Sequence, residues 1–347
     1  TNAGTVEFLL APPGDDGQAE FFFLEVNTRL QVEHPVTEAV LGVDLVELQL
    51  SVATGGAVPR QDEIGPVEGH AIEARLYAED PGADFRPSTG TVHRFAVSGR
   101  VRLDSALEGG GEVTQFYDPM IAKVIAYSPT RDTAAHRLAS SLASATIDGI
   151  VTNRELLVRT LRHPEFLGDR GDSEILESND PAVFGRPFDE GTDRAVYAAA
   201  AALAIQAAHR RDDPHTARVA SGFRNVATGP QRISFSLGDL VIEVAYRFER
   251  GRLVELEVGD EVLDAPVAYG VDVDHVDLAV AGVRCQLDVQ VHRDLVSVTG
   301  ARGGIVLGRR PRFAEPEDQL QAGSTVASMP GTIVAVAVQV GDSVSAL

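Results

Sequence analysis

Five polar residues occupy every second position of one short segment: Glu25, Asn27, Arg29, Gln31 and Glu33. If this segment is extended, side chains at alternate positions share one face of it. An arginine on that face can hold a planar anion through two parallel hydrogen bonds, and a nearby carboxylate can take a proton from it. An ordinary surface strand can also have a polar face, and that alternative stays open. The pattern indicates a candidate site for binding and deprotonating a small planar anion.

The second candidate feature is a hairpin whose two strands, Val6–Leu10 and Phe21–Asn27, are joined by a turn-rich segment near Asp16. A turn centred there places Glu7 opposite Glu25. Like charges directly opposite each other destabilise a sheet, whereas a hard divalent cation between them would reverse the penalty. Two solvated carboxylates are the equal alternative to this metal site.

Composition limits the possible functions. The formal net charge is −21 and the pI is about 4.8, so the surface repels phosphate backbones and we expect no nucleic-acid partner. No apolar run approaches the ~18 residues that span a bilayer, and we expect no membrane partner. The single cysteine, Cys285, cannot form an internal disulfide, which fits the cytoplasm. The first residues resemble the middle of a domain, not a natural start.

Turn-rich stretches divide the chain into three pieces. The first mixes strands with a helix that follows Asp44, a plausible N-cap, and another over 131–145. The second opens with an alanine-rich helix, about 193–211, which is apolar on nearly every side and is therefore expected to be buried all round. Around eight short strand patterns follow, and they favour a closed antiparallel β-barrel around that helix. The third piece, from Met329, is only a strand and a turn.

Longer motifs resemble biotin carboxylases. The residues from Asn2 to Leu9, from Leu24 to Glu38 and from Gly42 to Val46 look like the end of their ATP-grasp region. Further motifs look like their C-terminal region: HAIEARLYAEDP from His70, FRPSTG from Phe85, YDPMIAK from Tyr117 and DGIVTN from Asp148.

The resemblance implies roles for particular residues. Glu33 matches the base that deprotonates bicarbonate so that it attacks the γ-phosphate of ATP, and Arg75 matches the arginine that stabilises the biotin enolate. The other implied sets are the bicarbonate site, which is Arg29, Gln31 and the backbone of Val32; the metal ligands for Mg²⁺ or Mn²⁺, which are Glu7, Glu25 and Asn27; and the nucleotide neighbours, which are Leu9, Leu24 and Glu25.

Three other residues have simpler interpretations. For Lys123, the only lysine of the sequence, we expect a structural ion pair in preference to a catalytic role. For His34 we expect a local hydrogen bond. Cys285 is expected to pack as a small hydrophobic residue, not to act as a nucleophile.

The second piece is similar to the BT domain, which in propionyl-CoA-type α subunits joins carboxylase to biotin carrier and contacts the carboxyltransferase β subunit; the loop sequence from Gly222 to Asn225 carries this likeness. The stub from Met329 resembles the start of a biotinyl carrier domain without its attachment lysine. The family also implies contacts with other α subunits. Alternatives are a methylcrotonyl-CoA carboxylase α subunit and a fragment of pyruvate or urea carboxylase.

The sequence therefore predicts an α+β multidomain chain, part of an acyl-CoA carboxylase α subunit with biotin as cofactor. Its fold would combine the end of an ATP-grasp domain, the biotin carboxylase C-terminal domain and a β-barrel around a central helix. By itself the chain is expected to hydrolyse no ATP and to act mainly in docking. The predicted divisions are 1–65 for the ATP-grasp part, 66–167 for the C-terminal domain, 168–192 for a linker, 193–312 for the BT domain, 313–328 for a second linker and 329–347 for the carrier stub.

Overall fold

The structure is a computed structural model. It describes residues 3–11, 19–107, 110–168, 174–186, 192–213, 215, 219–221, 223, 226, 229–238, 240–312, 335–336, 338–339 and 341–342. The hairpin turn near Asp16, most of the loop from Gly222 to Asn225 and the start of the carrier stub at Met329 lie outside the described residues.

The first part of the chain is an antiparallel hairpin followed by two helices. Strand β1 covers Thr5–Leu10 and β2 covers Phe21–Asn27; helix α1 covers His34–Leu41 and α2 covers Leu45–Ala53. The predicted N-cap is confirmed, since the Asp44 side chain accepts a hydrogen bond from the Glu47 amide. A 3₁₀ turn over Gln61–Glu63 leads into the second part.

The extended run predicted through Glu33 is wrong beyond Asn27, where β2 ends. The chain turns because α1 begins at His34, with Pro35 in its first turn, where a residue without an N–H is tolerated. The amide and ring Nδ1–H of His34 both donate to the Gln31 carbonyl, which closes the turn. Arg29, Gln31 and Glu33 are therefore displayed by a turn and not by one strand face.

The second part is built on a three-stranded antiparallel sheet in the order β3-β10-β8, with α3 packed on one face. Ala74 and Val124 on that face and Leu138 of α3 are buried and belong to one apolar core. Its strands are β3 His70–Tyr77, β4 Glu79–Asp80, β5 Arg86–Pro87, β6 Gly90–Thr91, β7 Arg94–Ala96, β8 Arg102–Ser105, β9 Glu112–Val113, β10 Met120–Ser128 and β11 Thr146–Asp148. Its helices are α3 Arg131–Ala143, α4 Arg154–Arg162 and α5 Pro164–Leu167, with a 3₁₀ turn over Pro81–Ala83.

Two short helices, α6 Glu174–Ser178 and α7 Pro181–Phe184, lead to the long helix α8, Thr192–Asp212. Ala195 to Ile205 of α8 are at most 5 % exposed, so the prediction of a helix buried all round is confirmed. The strands that follow are β12 Gln231–Leu237, β13 Leu240–Glu249, β14 Arg252–Val258, β15 Glu261–Val262, β16 Val267–Val271, β17 His275–Val280, β18 Val283–His292, β19 Leu295–Gly300 and β20 Gly303–Arg309.

These nine strands form one antiparallel sheet in the order β15-β14-β13-β12-β20-β19-β18-β17-β16, and α8 contacts strands of both halves. The closed barrel predicted from the sequence is therefore wrong, because no ladder joins β15 to β16 in the described part of the chain. The chain between them holds Ala265 at a φ of +43° followed by Pro266, which has no N–H to donate to a ladder. The sheet wraps α8 but stays open at this seam.

The second part and the nine-stranded sheet are in contact. Arg154 of α4 donates from Nη2 to the Gly304 carbonyl of β20 at 2.8 Å and from Nη1 to the Ala145 carbonyl at 3.0 Å. Its Nη2 also lies 2.7 Å from Glu155 Oε1, and both side chains are less than 10 % exposed. Across the same boundary the rings of His93 and His292 stack, with 3.7 Å between their centroids. Within the described residues, no helix is long and apolar enough to cross a membrane.

Candidate active site

The hairpin brings two carboxylates together. Glu7 of β1 pairs with Glu25 of β2, which is the register expected from the sequence. Asn27 donates from Nδ2 to Glu7 Oε1 at 2.7 Å and to Glu25 Oε1 at 2.8 Å. Gln31 donates to the same Glu7 oxygen at 3.0 Å. The Asn27 amide thus lies between the two like-charged carboxylates. The Gln31 contact attaches the turn that follows β2 to the hairpin.

Next along the chain, Arg29 and Gln31 form the part of the site that suits an anion. Arg29 Nη1 donates to Gln31 Oε1 at 2.6 Å, and Arg29 is exposed. Its contacts are to neutral oxygens, on Gln31 and at the Leu30 carbonyl. Among the residues that the structure describes, no carboxylate pairs with Arg29, so its charge stays available for a planar anion.

The turn then presents Glu33 to the neighbouring sheet. Arg75 of β3 donates from Nη2 to Glu33 Oε2 at 2.8 Å, and the two side chains are 42 % and 53 % exposed. Lys123 of β10 donates from Nζ to the Val32 carbonyl at 3.1 Å and lies 3.4 Å from Asp104 Oδ2. The expected structural ion pair of Lys123 is therefore observed.

Charges on the sheet face toward α1 are matched to one another. Burial alone raises the pKa of Asp104, but hydrogen bonds and charge from Arg102 and Lys123 outweigh it, and the pKa lies below its usual range. Arg102 also donates to the buried Glu38 of α1 at 2.6 Å, and hydrogen bonds from Arg102 to Asp104 and Glu38 raise its own pKa. The network holds α1 on the sheet.

The two residues expected near a nucleotide lie apart from this network. Leu9 pairs with Phe22 in the hairpin, and Leu24 falls at the β-bulge between the Glu7 and Phe8 pairs. Their side chains are 60 % and 59 % exposed, as are most apolar side chains of this two-stranded unit.

Sequence reasoning missed the support for Arg75. The buried Asn153 donates to the Arg75 carbonyl at 3.2 Å and accepts from the Tyr77 amide at 2.9 Å, so it fixes the end of β3. Its place in the DGIVTN motif was the available signal. The expectations for two other residues are met: His34 makes a local hydrogen bond, and Cys285 packs against the core around α8.

Three family models match successive parts of the chain. The carbamoyl-phosphate synthase L chain ATP-binding domain matches residues 1–61, the biotin carboxylase C-terminal domain matches 73–178, and the BT domain of the methylcrotonyl-CoA carboxylase α subunit matches 192–312. The chain therefore combines domains that match those of biotin-dependent carboxylases. The Glu33–Arg75 ion pair joins the part of the chain that matches the ATP-binding domain to the part that matches the biotin carboxylase C-terminal domain.

Two curated relatives are acyl-CoA carboxylase α subunits. The mitochondrial methylcrotonoyl-CoA carboxylase subunit alpha of Mus musculus is 31 % identical over 99 % of this chain and 49 % of its own length. The propionyl-CoA carboxylase alpha chain of Ruegeria pomeroyi is 41 % identical over 60 % of this chain and 34 % of its own length. The chain therefore spans about half or less of the length of these curated relatives.

One solved structure of similar fold is the complete multifunctional pyruvate carboxylase of Rhizobium etli, with a TM-score of 0.51 and 30 % identity. That match covers 66 % of this chain and 23 % of the other. The mouse α subunit matches over 99 % of the chain, so the domain order of an acyl-CoA carboxylase α subunit describes it more fully than that of a pyruvate carboxylase.

Proposed function

We propose that this chain belongs to an acyl-CoA carboxylase α subunit that carboxylates biotin with ATP and bicarbonate. The observation that carries the proposal is the sequence of contacts from Arg29 through Gln31 and Val32 to the Glu33–Arg75 ion pair. A cation open to solvent, a carboxylate able to accept a proton and a second cation lie along one turn and its neighbouring strand. That order suits deprotonation of a small anion such as bicarbonate.

In this proposal Arg29, with Gln31 and the Val32 backbone, binds bicarbonate. Glu33 accepts its proton, and Arg75 supplies positive charge beside the group that has taken it. Leu9 and Leu24, on the exposed hairpin, are proposed to lie beside ATP. Because the Glu33–Arg75 pair is about half exposed, an anionic reactant can replace Glu33 as the partner of Arg75 without a large desolvation cost.

The hairpin fits a hard divalent cation. Each of Glu7 and Glu25 has one oxygen hydrogen-bonded to Asn27, and a reversed Asn27 amide would offer its oxygen instead. No group of three or more Asp, Glu, His or Cys arranged for a metal occurs among the residues that the structure describes. Mg²⁺ or Mn²⁺ would thus keep water or phosphate ligands there and neutralise phosphate charge.

The nine-stranded sheet with α8 is proposed to dock the carboxyltransferase β subunit, and other α subunits are further proposed partners. A cytoplasmic location is proposed from the single cysteine. The test of docking is size-exclusion chromatography of the chain with a purified β subunit. Co-elution supports the proposal, and separate elution over micromolar concentrations contradicts it.

In this proposal the β subunit that docks determines which acyl-CoA is carboxylated. A methylcrotonyl-CoA carboxylase is the second candidate, favoured by the BT-domain match and the mouse relative. The activity test is ATP-dependent fixation of labelled bicarbonate onto free biotin by the complete α subunit that contains this chain, followed by transfer to propionyl-CoA or methylcrotonyl-CoA with β. Fixation dependent on both ATP and biotin supports the function, and its absence from a folded, metal-loaded α subunit contradicts it.

A further inference from the structure

Lys123 lies at the centre of a row of charges that crosses the three-stranded sheet. On β10 it is directly opposite Arg75 of β3 and Asp104 of β8. Residues directly opposite in a sheet point to the same face, so the three side chains form one row. The Lys123 side chain is only 13 % exposed, and the sequence contains no other lysine.

This row faces the turn that carries the candidate anion site. Two side chains of the sheet donate to that turn in the described structure: Arg75 to the carboxylate of Glu33, and Lys123 to the carbonyl of Val32. The turn itself has few backbone hydrogen bonds, from His34 to Gln31 and from Val36 to Glu33. Lys123 thus attaches the backbone of the turn to the sheet, through the Val32 carbonyl. Arg75 instead contacts the side chain of Glu33, the group proposed to accept a proton.

Lys123 also compensates a buried carboxylate. The side chain of Glu73 is 4 % exposed, and neither of its oxygens has a hydrogen-bond partner among the residues that the structure describes. Its nearest cation is Arg75, whose Nε lies 3.8 Å from Glu73 Oε1. Burial raises the pKa of Glu73, and the charges of Lys123 and Arg75 oppose that rise. Arg75 already lies between two carboxylates, 3.8 Å from Glu73 and 2.8 Å from Glu33, so without Lys123 more of the compensation of Glu73 would fall to Arg75.

We propose that Lys123 is a positioning residue: it holds the Val32–Glu33 turn at the sheet and thereby orients the anion site and Glu33 toward Arg75. The proposal rests on the proposed function, since it concerns the same site. It assigns Lys123 no contact with a reacting atom. A side chain attached to the rigid strand β10 fixes the turn more accurately than the hydrogen bonds within the turn can.

The structural test is amide hydrogen exchange on the 347-residue chain and its Lys123→Met variant. We expect the Val36 amide and its neighbours in the first turn of α1 to lose protection by about tenfold or more, as for loss of a hydrogen bond from a charged donor, while β10 stays protected. Arg137→Met is the matched control, because Arg137 also donates to a backbone carbonyl, that of Tyr127 on the same strand. Unchanged protection of α1 in Lys123→Met would overturn the proposal.

A measurement on the unmutated chain covers the case in which Lys123→Met does not fold. Lysine labelled with ¹⁵N at Nζ gives one side-chain signal, because the chain has one lysine. An ammonium group that exchanges its protons more slowly than free lysine supports the contact. Exchange at the rate of a solvated ammonium group contradicts it.

Kinetics of the complete α subunit separate positioning from general stability. Lys123→Met is expected to raise the KM for bicarbonate about tenfold with a smaller fall in kcat, and Lys123→Arg, which can also donate to a carbonyl, is expected to restore most of it. Unchanged KM and kcat in Lys123→Met would contradict positioning, as would a loss that Lys123→Arg does not restore. If the unmutated subunit fixes no bicarbonate, the proposed function fails, and hydrogen exchange still decides the role of Lys123.

Discussion

Arg75 and Glu33, which are 42 residues apart in the sequence, form an ion pair of 2.8 Å between Nη2 and Oε2. Arg75 lies on a strand with a buried core on its other face, and Glu33 lies in the turn before α1. The pair therefore joins the segment that can bind an anion to the three-stranded sheet of the second part. Both side chains stay accessible, which is what a proton acceptor and its neighbouring cation require.

Because this pair is about half exposed, we expect it to contribute little to stability. Glu33→Gln should change the free energy of unfolding by less than about 1 kcal/mol, as is usual for solvated ion pairs. Arg75→Gln should cost more than Glu33→Gln, because it also removes the cation that lies 3.8 Å from the buried Glu73 carboxylate. Urea denaturation followed by circular dichroism measures both. A loss of about 3 kcal/mol for Glu33→Gln would contradict the expectation that the exposed pair adds little to stability.

The buried pair at the boundary of the nine-stranded sheet should behave differently. Arg154→Met leaves the Glu155 carboxylate less than 10 % exposed and without its partner, so we expect a loss of about 3–5 kcal/mol. The matched control is Arg302→Met. Arg302 pairs with Asp193, but their side chains are 53 % and 40 % exposed, and the expected loss is below about 1 kcal/mol. Equal losses in the two variants would contradict this account of the boundary.

The stacked histidines at the same boundary predict a pH effect. Burial, and then the charge of His93, lower the pKa of His292 below 6.5, although Asp148 acts in the opposite direction. At about pH 6 the unfolded chain then binds a proton at His292 that the folded chain does not. The contribution of His292 to the free energy of unfolding is therefore fully present above about pH 6.5 and falls as the pH drops through that value. Urea midpoints at several pH values measure the slope.

The matched variants for this effect are His292→Asn and His136→Asn. The first should flatten the pH dependence between about pH 7.5 and 5.5. The second should leave it unchanged, because His136 is exposed on α3. Burial raises the pKa of Asp148 in the folded chain, so its own contribution is lost as the pH rises through that pKa, with the opposite sign. If the slope of stability against pH were unchanged in His292→Asn, the pH effect would not come from His292.

The carboxylates of the hairpin predict a response to Mg²⁺. In a chelator, Glu25→Gln should stabilise the chain slightly, by about 0.2–1 kcal/mol, because Glu7 is opposite it. With millimolar Mg²⁺ the unmutated chain should gain stability and Glu25→Gln should not. Glu20→Gln, the same charge change opposite Ala11 in the same hairpin, is the control. Equal responses of the three proteins to Mg²⁺ would contradict the metal site, and thermal melts measure them.

The sequence predicted the features that depend on neighbouring residues. The register of Glu7 with Glu25 follows from alternation and one turn, and α8 follows from a continuous run of small apolar residues. The extended run to Glu33 was a wrong prediction, because the eight-residue helix α1 begins at His34 and bends the chain just before it. The barrel was wrong because closure depends on one seam, where Ala265 and Pro266 interrupt the ladder.

The charge row on the sheet could not be read from the sequence. Lys123 contacts Val32 across 91 residues, and Arg102 contacts Glu38 across 64. Such contacts depend on which strands become neighbours, and here β10 lies between β3 and β8, which precede it. Local periodicity carries no information about that order. The domain boundaries and the roles of the site residues stay predictions.

The most direct measurement is ATP-dependent fixation of labelled bicarbonate onto biotin by the complete α subunit carrying Glu33→Gln or Arg75→Gln. Loss of a general base typically costs 10²–10⁴-fold, so we predict that Glu33→Gln lowers the rate by about that factor, and Arg75→Gln by a comparable one, while both proteins stay folded. Rates within about threefold of the unmutated subunit, for both variants, would contradict the account that this ion pair lies at the reaction centre.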